Sequence, residues 1–559
     1  FVSDPSSKGV VMTTASHTYL PTTIEGNAMK RNTESSISRS TMAGDSSQDD
    51  LSIWSLSPRS CSAYKSKVTN SVENILHSYV AGANGIPWDV LTADSLQGQR
   101  LRESLLSDTC IVFFNAGYRG KRFIYEKARE LGVKTVIIDS PCSWASELVT
   151  EGVITSFIGL DMGQGDDAIF EASVEALRSF EMTSGITIDG ICTVIELAVP
   201  MVARLTEAFS LPGPQPCHVD AARDKYKTRE ALEKHGLPRT THVLISREDE
   251  IEAAAAKVGY PAVMKPISGA ASLGVKKVNS HVELLSVYRE TQQLLSELVV
   301  SSGALERRNE HSDSDAVAAS GRISSAVMLE EYLDGHEVDV DVILSPGLGC
   351  TFAVVTDNAP TKEPYFSETW GVLPSALSQE HCDELKDLAI NSVKALGFDS
   401  GVFHVEAKYT SRGPRLIEVN ARMGGGPVHL CHKMTSGVEL SVEVMLLAVG
   451  LPSRPFQRNI SVVGFGNVNS PKSGVIYDFS FLSKWQNVDG CEMKYCIPMV
   501  SPGDHIVGPE DGQPCWVVDF MFVCDCPSKA AEISKRLDDE LSEEVGKQIN
   551  LQSINMKRH

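Results

Sequence analysis

One segment restricts the fold of this chain more than any other, residues 401–426 (GVFHVEAKYTSRGPRLIEVNARMGGG). Apolar and polar residues alternate on both sides of a turn near Arg412, which is typical of two antiparallel strands joined by a short connection. That turn places Glu406 directly opposite Glu418. Because side chains alternate between the two faces of a strand, Glu406, Glu418 and Asn420 are predicted to project from one face.

The opposed carboxylates indicate a ligand. Two such groups repel each other unless a cation or a proton lies between them. A set of oxygen ligands suits Mg²⁺ (or Mn²⁺) that is shared with substrate phosphates. The alternative is a hairpin whose acids simply face water. The run Gly424–Gly426, just after Arg422, favours the ligand site, because a bare surface hairpin does not need a backbone that approaches a ligand closely.

A second segment, residues 260–277, predicts a strand that carries Lys265, a loop of small residues and a second strand. Small residues let backbone N–H groups reach phosphate oxygens, and the lysine adds a fixed positive charge. The loop residues singled out on this ground are Ser268, Gly269, Ser272 and Gly274. A loose hairpin after a structural lysine remains an equal alternative, because short motifs are weak evidence.

A third segment, residues 327–342, reads as a strand, a turn and an alternating strand. Backbone groups exposed at the turn can hydrogen-bond an adenine edge, and Glu337 can accept hydrogen bonds from ribose hydroxyls. A hairpin with a solvated acidic face fits the same pattern.

Upstream, apolar runs at 110–114, 133–138 and 188–194 alternate with helical stretches such as 122–131. This alternation predicts a doubly wound α/β sheet. The turn at 115–122 (NAGYRGKR) lacks the spacing of a phosphate loop, so we interpret it as a tight connection from strand to helix.

Breaks in composition give the predicted domain boundaries. The next helix is expected to start near a capping Asp220 and to end at Gly236. The predicted units are a disordered or targeting segment at 1–60, an α/β domain at 61–218, a central domain at 219–450 and a C-terminal α+β domain at 451–559. The central unit is expected to contain a polar loop at 301–325.

Composition excludes several classes of protein. A formal net charge of −21 argues against binding nucleic acid or an anionic membrane surface, since both need a basic footprint. No apolar run of about 18 residues occurs, so we expect no membrane span. The 13 cysteines follow no metal or disulfide pattern and suggest a reducing, cytoplasmic location, with organelle targeting by the first residues as an alternative.

The order and spacing of these segments resemble the ATP-grasp superfamily throughout 220–450. Within it, the chain resembles the amino-acid ligase branch that includes carnosine synthase, and the likeness extends upstream to 116–149. The resemblance implies an α/β ATP-grasp fold with an N-terminal Rossmann-like domain, a central domain with a lid at about 239–333 and a small C-terminal α+β domain.

The resemblance also implies roles for individual residues. Lys225 and Lys265 would contact ATP, and the loop 268–274 would close over its phosphates. The expected adenine and ribose contacts are Glu330, the backbone near Leu333, and Glu337. The expected magnesium ligands are Glu406, Glu418 and Asn420. Arg422 would contact the transferred phosphoryl group or a substrate carboxylate. The segment 357–375 is expected to line the substrate pocket, with Glu368 pairing with an ammonium and Trp370 shaping the side-chain site. Ala421 departs from the proline common in relatives, which puts the shape of the next loop in doubt.

The implied reaction is ATP-dependent ligation of a carboxylate to an amino-acid amine through an acyl phosphate, with catalysis by Lys265 and Arg422. β-Alanine, or a similar amino acid, and histidine are the substrates that the branch suggests, and the family leads us to expect a homodimer. Two alternatives remain open: a non-catalytic ATP-binding module, and an ATP-grasp carboxylase that uses bicarbonate.

Overall fold

The computed structural model describes residues 86–269, 272–301, 304–307 and 325–550. The predicted disordered or targeting segment 1–60 therefore lies outside the described residues, as do 308–324 of the predicted polar loop. The beginning of that loop prediction is wrong. Leu298–Ser301 (β8) and Ala304–Arg307 (β9) pair as an antiparallel hairpin.

The N-terminal unit is built on a four-stranded parallel sheet in the order β3-β2-β1-β4. Its strands are β1 (Cys110–Phe114), β2 (Lys134–Asp139), β3 (Ser156–Gly159) and β4 (Gly190–Cys192). The helices around it are α1 (Trp88–Leu91), α2 (Leu96–Ser104), α3 (Arg122–Glu130), α4 (Glu147–Thr150), α5 (Asp166–Ser184) and α6 (Val199–Ala208). The alternation of apolar runs and helices thus predicted this sheet, although β4 is shorter than the run at 188–194.

Two short helices connect this unit to the rest of the chain. They are α7 (Pro216–Arg223) and α8 (Lys225–Lys234). The predicted cap is wrong. Asp224 rather than Asp220 caps α8, because its extended backbone separates the two helices and its carboxylate accepts from the N–H groups of Tyr226 and Lys227.

A second four-stranded sheet forms the region predicted as the lid, in the order β5-β10-β6-β7. Its strands are β5 (His242–Ile245), β6 (Ala262–Pro266), β7 (Lys276–Val278) and β10 (Val327–Glu331), and its helices are α9 (Ile251–Val258) and α10 (His281–Glu297). Apolar residues of these helices and strands share one core.

The largest sheet has eight strands in the order β15-β14-β11-β12-β13-β16-β20-β18. These are β11 (His336–Ser345), β12 (Gly349–Asn358), β13 (Trp370–Leu373), β14 (Gly401–Thr410), β15 (Gly413–Asn420), β16 (Val462–Asn469), β18 (Glu492–Pro498) and β20 (Trp516–Cys524). A small ladder pairs β17 (Gly474–Val475) with β19 (His505–Ile506). The remaining helices are α11 (Gln379–Ala395), α12 (Val428–Ser436), α13 (Leu440–Ala448) and α14 (Pro527–Gln548).

The C-terminal segment is thus not packed as a sheet of its own, since β16, β18 and β20 extend the central sheet. Helix α11 packs on the half of this sheet nearest β15, and α14 packs on the half nearest β18. Within the described ranges, no helix is both long enough and apolar enough to cross a membrane.

Candidate active site

The hairpin of β14 and β15 forms as predicted. Glu406 lies opposite Glu418, and His404 lies opposite Asn420. The Asn420 amide donates a hydrogen bond to Oε1 of Glu406 at 3.2 Å. Both glutamates remain partly exposed, so the face that carries them is open to a ligand.

The two opposed glutamates differ in charge. Burial, together with Glu418, Asp339 and Glu368, raises the pKa of Glu406 to about 8. Burial alone would also raise the pKa of Glu418, but the Lys225 ammonium, 2.8 Å from Oε1, brings it below its ordinary value. One carboxylate of the pair is therefore paired with a lysine, whereas the other makes no ion pair within the part of the chain that the structure describes.

Further acids lie on the same face of the sheet. Strand β11 places Asp339 opposite Glu406, and Glu337 two residues earlier pairs with Lys408 at 3.2 Å. Glu368 is exposed to solvent, and the surrounding protein together with the Asp339 carboxylate raises its pKa to about 7. Glu368 therefore faces the hairpin acids across an open cleft.

Further along the same face, Asp341 and His404 lie next to Asp339 and Glu406 on the same two strands. Asp341 is fully buried between two histidines, 2.9 Å from Nδ1 of His404 and 2.7 Å from Nε2 of His432. Burial opposes protonation of His404, but Asp339 and Asp341 raise its pKa to about 10. These hydrogen bonds fix the part of β14 that carries His404, two residues before Glu406.

Lys265 ends β6 inside a buried ion cluster. Its Nζ lies 2.5 Å from Oε2 of Glu330, whose other oxygen lies 2.5 Å from Nε of Arg229. Thr240 also donates to Glu330. The side-chain role that we predicted for Glu330 at adenine is therefore corrected, because both of its oxygens are already bound. Glu330 instead fixes the position of Lys265.

Backbone groups around the nucleotide segments remain accessible. Leu333 follows β10, and its N–H makes no hydrogen bond to any other described residue. In the small-residue loop, Ser272 and Gly274 adopt positive φ angles of 55° and 73° and form a tight turn before β7. A side chain on Gly269, Gly425 or Gly426 would meet no atom within 4 Å, which leaves space for a ligand beside these backbones.

Arg422 is held by two units of the protein. Its guanidinium donates to Oδ1 of Asn420 at 3.2 Å and lies 3.1 Å from Oε2 of Glu196 in the N-terminal unit. Glu196 lies directly after β4, where sequence alone gave no signal of a site. The arginine is thus anchored next to the hairpin acids.

Trp370 does not line this cleft, contrary to our prediction. Side chains alternate along β13, so Gly371 lies beside Asn358 on the face of the hairpin acids. Trp370 points to the other face and packs against the core under α14. The prediction identified the strand correctly but assigned the residue to the wrong face.

Two residues that sequence reasoning missed had visible signals. Arg229 follows Lys225 by one helical turn, so both point from one side of α8. Asp339 alternates with Glu337 along β11, which predicts a shared face. Asp341 continues the same alternation, but its partner His432 and the role of Glu196 had no local signal, because these contacts join segments that are far apart in sequence.

The donor set of the hairpin fits Mg²⁺ that is shared with phosphates. Among the residues that the structure describes, no group of three or more His, Cys, Asp or Glu side chains forms a complete metal site. Two carboxylates and one amide oxygen would leave the remaining positions of an octahedral ion for water and phosphate, as is usual for Mg²⁺. The unmet charge of Glu406 supports such a ligand.

Comparison with known proteins agrees with this fold. Residues 258–430 match the family model described as "ATP-grasp domain", and residues 125–213 match "ATP-grasp N-terminal domain". The chain therefore contains regions that match both ATP-grasp domains, and it has their α/β fold.

Its relatives include ligases. Carnosine synthase 1 of Gallus gallus is 31% identical over 363 residues, a match that covers 62% of this chain and 36% of that protein. The Homo sapiens protein of the same name is 29% identical, and the match covers 64% of this chain and 42% of that protein. The matched region thus spans less than half the length of these relatives. The solved L-amino acid ligase from Bacillus licheniformis shares the fold, with a TM-score of 0.61 and 21% identity. The match covers 77% of this chain and 97% of that chain.

Proposed function

We propose that this chain is an ATP-dependent carboxylate–amine ligase that joins a carboxylic acid to an amino-acid amine. The observation that carries the proposal is the hairpin pair of Glu406 and Glu418, with Asn420 beside it and Lys225 already in contact with Glu418. Together these residues make a site that lacks only a cation and an anionic co-substrate.

ATP would bind between the lid and the central sheet. Lys225 and Lys265 supply positive charge for its phosphates, and the loop 268–274 offers backbone N–H groups. Accessible backbone next to Leu333 suits the adenine edge. Glu330 acts indirectly, because it holds Lys265 in place at 2.5 Å.

Glu406, Glu418 and Asn420 would hold Mg²⁺, which supplies charge neutralisation for the phosphate oxygens. In the first step, a substrate carboxylate oxygen attacks the γ-phosphorus of ATP, and the bond to the ADP oxygen breaks. Arg422 lies beside Asn420, where it can stabilise the charge that spreads over the transferred phosphoryl group. The product of this step is an acyl phosphate.

In the second step, the amine nitrogen attacks the acyl carbon, phosphate leaves and the nitrogen loses a proton. Glu368 is exposed in the cleft among other acids, a setting that suits pairing with a substrate ammonium. Closure of the lid would exclude water from the acyl phosphate. By likeness to the carnosine synthases, β-alanine or a similar amino acid and histidine are the first substrates to test, and we propose a cytoplasmic, homodimeric enzyme.

The test is ADP release from Mg-ATP across a grid of paired amino acids that includes β-alanine with histidine. The proposal predicts release that depends on the pair, with loss of at least about a hundredfold in Glu418→Ala. The Glu384→Ala variant, on the outer helix α11, serves as the control and keeps full activity. Release that needs bicarbonate instead would assign a carboxylase. Nucleotide binding without stimulated release by any pair would assign a binding module.

A further inference from the structure

The N-terminal sheet has a crevice at the carboxyl ends of β1 and β4. Strands β2 and β3 follow on one side of β1, whereas β4 lies on its other side. Ligands of parallel α/β sheets bind outside the carboxyl ends of the strands at such a change in strand order. The loop after β1 carries Lys121, and the segment after β4 carries Glu196, which holds Arg422. Residues of the crevice therefore meet the active-site arginine.

Lys121 is a buried cation without a counter-charge. Only 3% of the residue is exposed. Within the described ranges, its ammonium has no carboxylate at ion-pair distance, and its Nζ lies over the ring of Tyr118, 5.6 Å from the ring centroid. Burial and the nearby positive charge of Arg422 lower its pKa to about 8. Burying an unpaired charge is costly, so such a residue usually awaits a ligand.

The groups that face Lys121 do not neutralise it. Arg422 is itself a cation, and Glu196 is its acidic partner. His429 stacks on Phe123 at 3.5 Å, and burial and Lys121 lower the pKa of His429 to about 3, so its ring is neutral. Arg422 thus has a carboxylate partner, whereas Lys121 makes no ion pair with any residue that the structure describes, and an anion would complete the site.

The ATP phosphates already have their own cations, Lys225 and Lys265, which approach Glu418 from α8 and β6. The ligation leaves one anionic group that still needs a cation, the carboxylate of the amino acid that donates the amine. We propose that Lys121, together with Arg422, binds this unreacted carboxylate and so selects amino acids over simple amines. This inference rests on the proposed function for the identity of the anion. The same chemistry would also accept inorganic phosphate.

The test is calorimetric titration of the full chain in the presence of Mg-ADP. The probes are the amino acid that stimulates ADP release most (L-histidine if none does), its carboxamide, and inorganic phosphate. The variants are Lys121→Met, Lys121→Arg and the control Lys134→Met. Lys134 is an exposed lysine at the start of β2, at the end of the sheet that is away from the crevice. Melting curves establish that each variant is folded.

We expect the wild type, Lys134→Met and, to a lesser extent, Lys121→Arg to prefer the amino acid over its carboxamide. Lys121→Met should lose about tenfold to a hundredfold in affinity for the amino acid only, which is the range for one charged hydrogen bond. Equal loss for amino acid and carboxamide, no loss for either, or no binding of any probe would overturn the inference. Loss confined to phosphate would assign the site to phosphate instead. If no pair releases ADP while the preference still depends on Lys121, the ligase proposal fails and the anion site stands.

Discussion

Two clusters of charged side chains lie close together in this protein, and they differ in the ratio of carboxylates to cations. Around Glu330, the single carboxylate meets both Arg229 and Lys265. Around Glu406, several carboxylates converge, and the pKa of Glu406 is raised to about 8 by burial and by the acids around it. We infer from this comparison that a carboxylate held by its own cations supports the scaffold, whereas carboxylates that outnumber their cations mark where a ligand binds.

The largest expected effect is on the free energy of unfolding when the cluster around Glu330 loses its carboxylate charge. In Glu330→Gln, Arg229 and Lys265 would remain buried without their counter-charge, so we expect a loss of about 3–5 kcal/mol in the free energy of unfolding. Thermal and urea denaturation measure it. The neighbouring Glu331→Gln is the control, because Glu331 pairs with the half-exposed Arg412 and should cost less than about 1 kcal/mol. Equal losses in both variants would remove the distinction between the clusters.

Removing a carboxylate charge from the cluster around Glu406 should instead increase the free energy of unfolding. Glu406→Gln relieves repulsion from Glu418 and should stabilise the ligand-free chain by about 1 kcal/mol, while it weakens Mg-nucleotide binding. Because folding raises the pKa of Glu406 from 4.5 to about 8, the native state binds more protons in this range and loses stability as pH rises through it. The gain in Glu406→Gln should therefore grow between pH 4.5 and 8. Melting curves in EDTA that show destabilisation at pH 8 would contradict this account.

The smallest effect concerns the lid. Lys277 contacts Glu363 at 3.0 Å and lies over the ring of Tyr332 at 4.2 Å, which ties the lid to the segment that carries Glu368. An exposed pair contributes less than about 1 kcal/mol, so Lys277→Ala should raise the KM for ATP a few-fold. Lys276→Ala is the matched control, because Lys276 pairs with Glu290 inside the lid. Equal KM values for the two variants would show that this contact does not assist closure.

Local patterns predicted much of this architecture. Alternation along residues 401–420 was sufficient to predict the register of Glu406 with Glu418, because the turn and the strand period are both local. The partners of Glu330 were not predictable in this way, since Arg229 is 101 residues away in sequence. Trp370 was assigned to the wrong face, because neighbouring residues of a short strand point to opposite faces and the sequence does not show which of them faces the site. The joining of β16 and β20 to the central sheet likewise depends on contacts between distant segments.

The most direct test of the central claim is calorimetric titration of the full chain with a non-hydrolysable ATP analogue, with and without Mg²⁺. The account predicts that Mg²⁺ strengthens binding in the wild type and in Glu384→Ala, and that this dependence disappears in Glu418→Ala. Equal dependence on Mg²⁺ in Glu418→Ala and the wild type would contradict the assignment of the hairpin acids as the magnesium site.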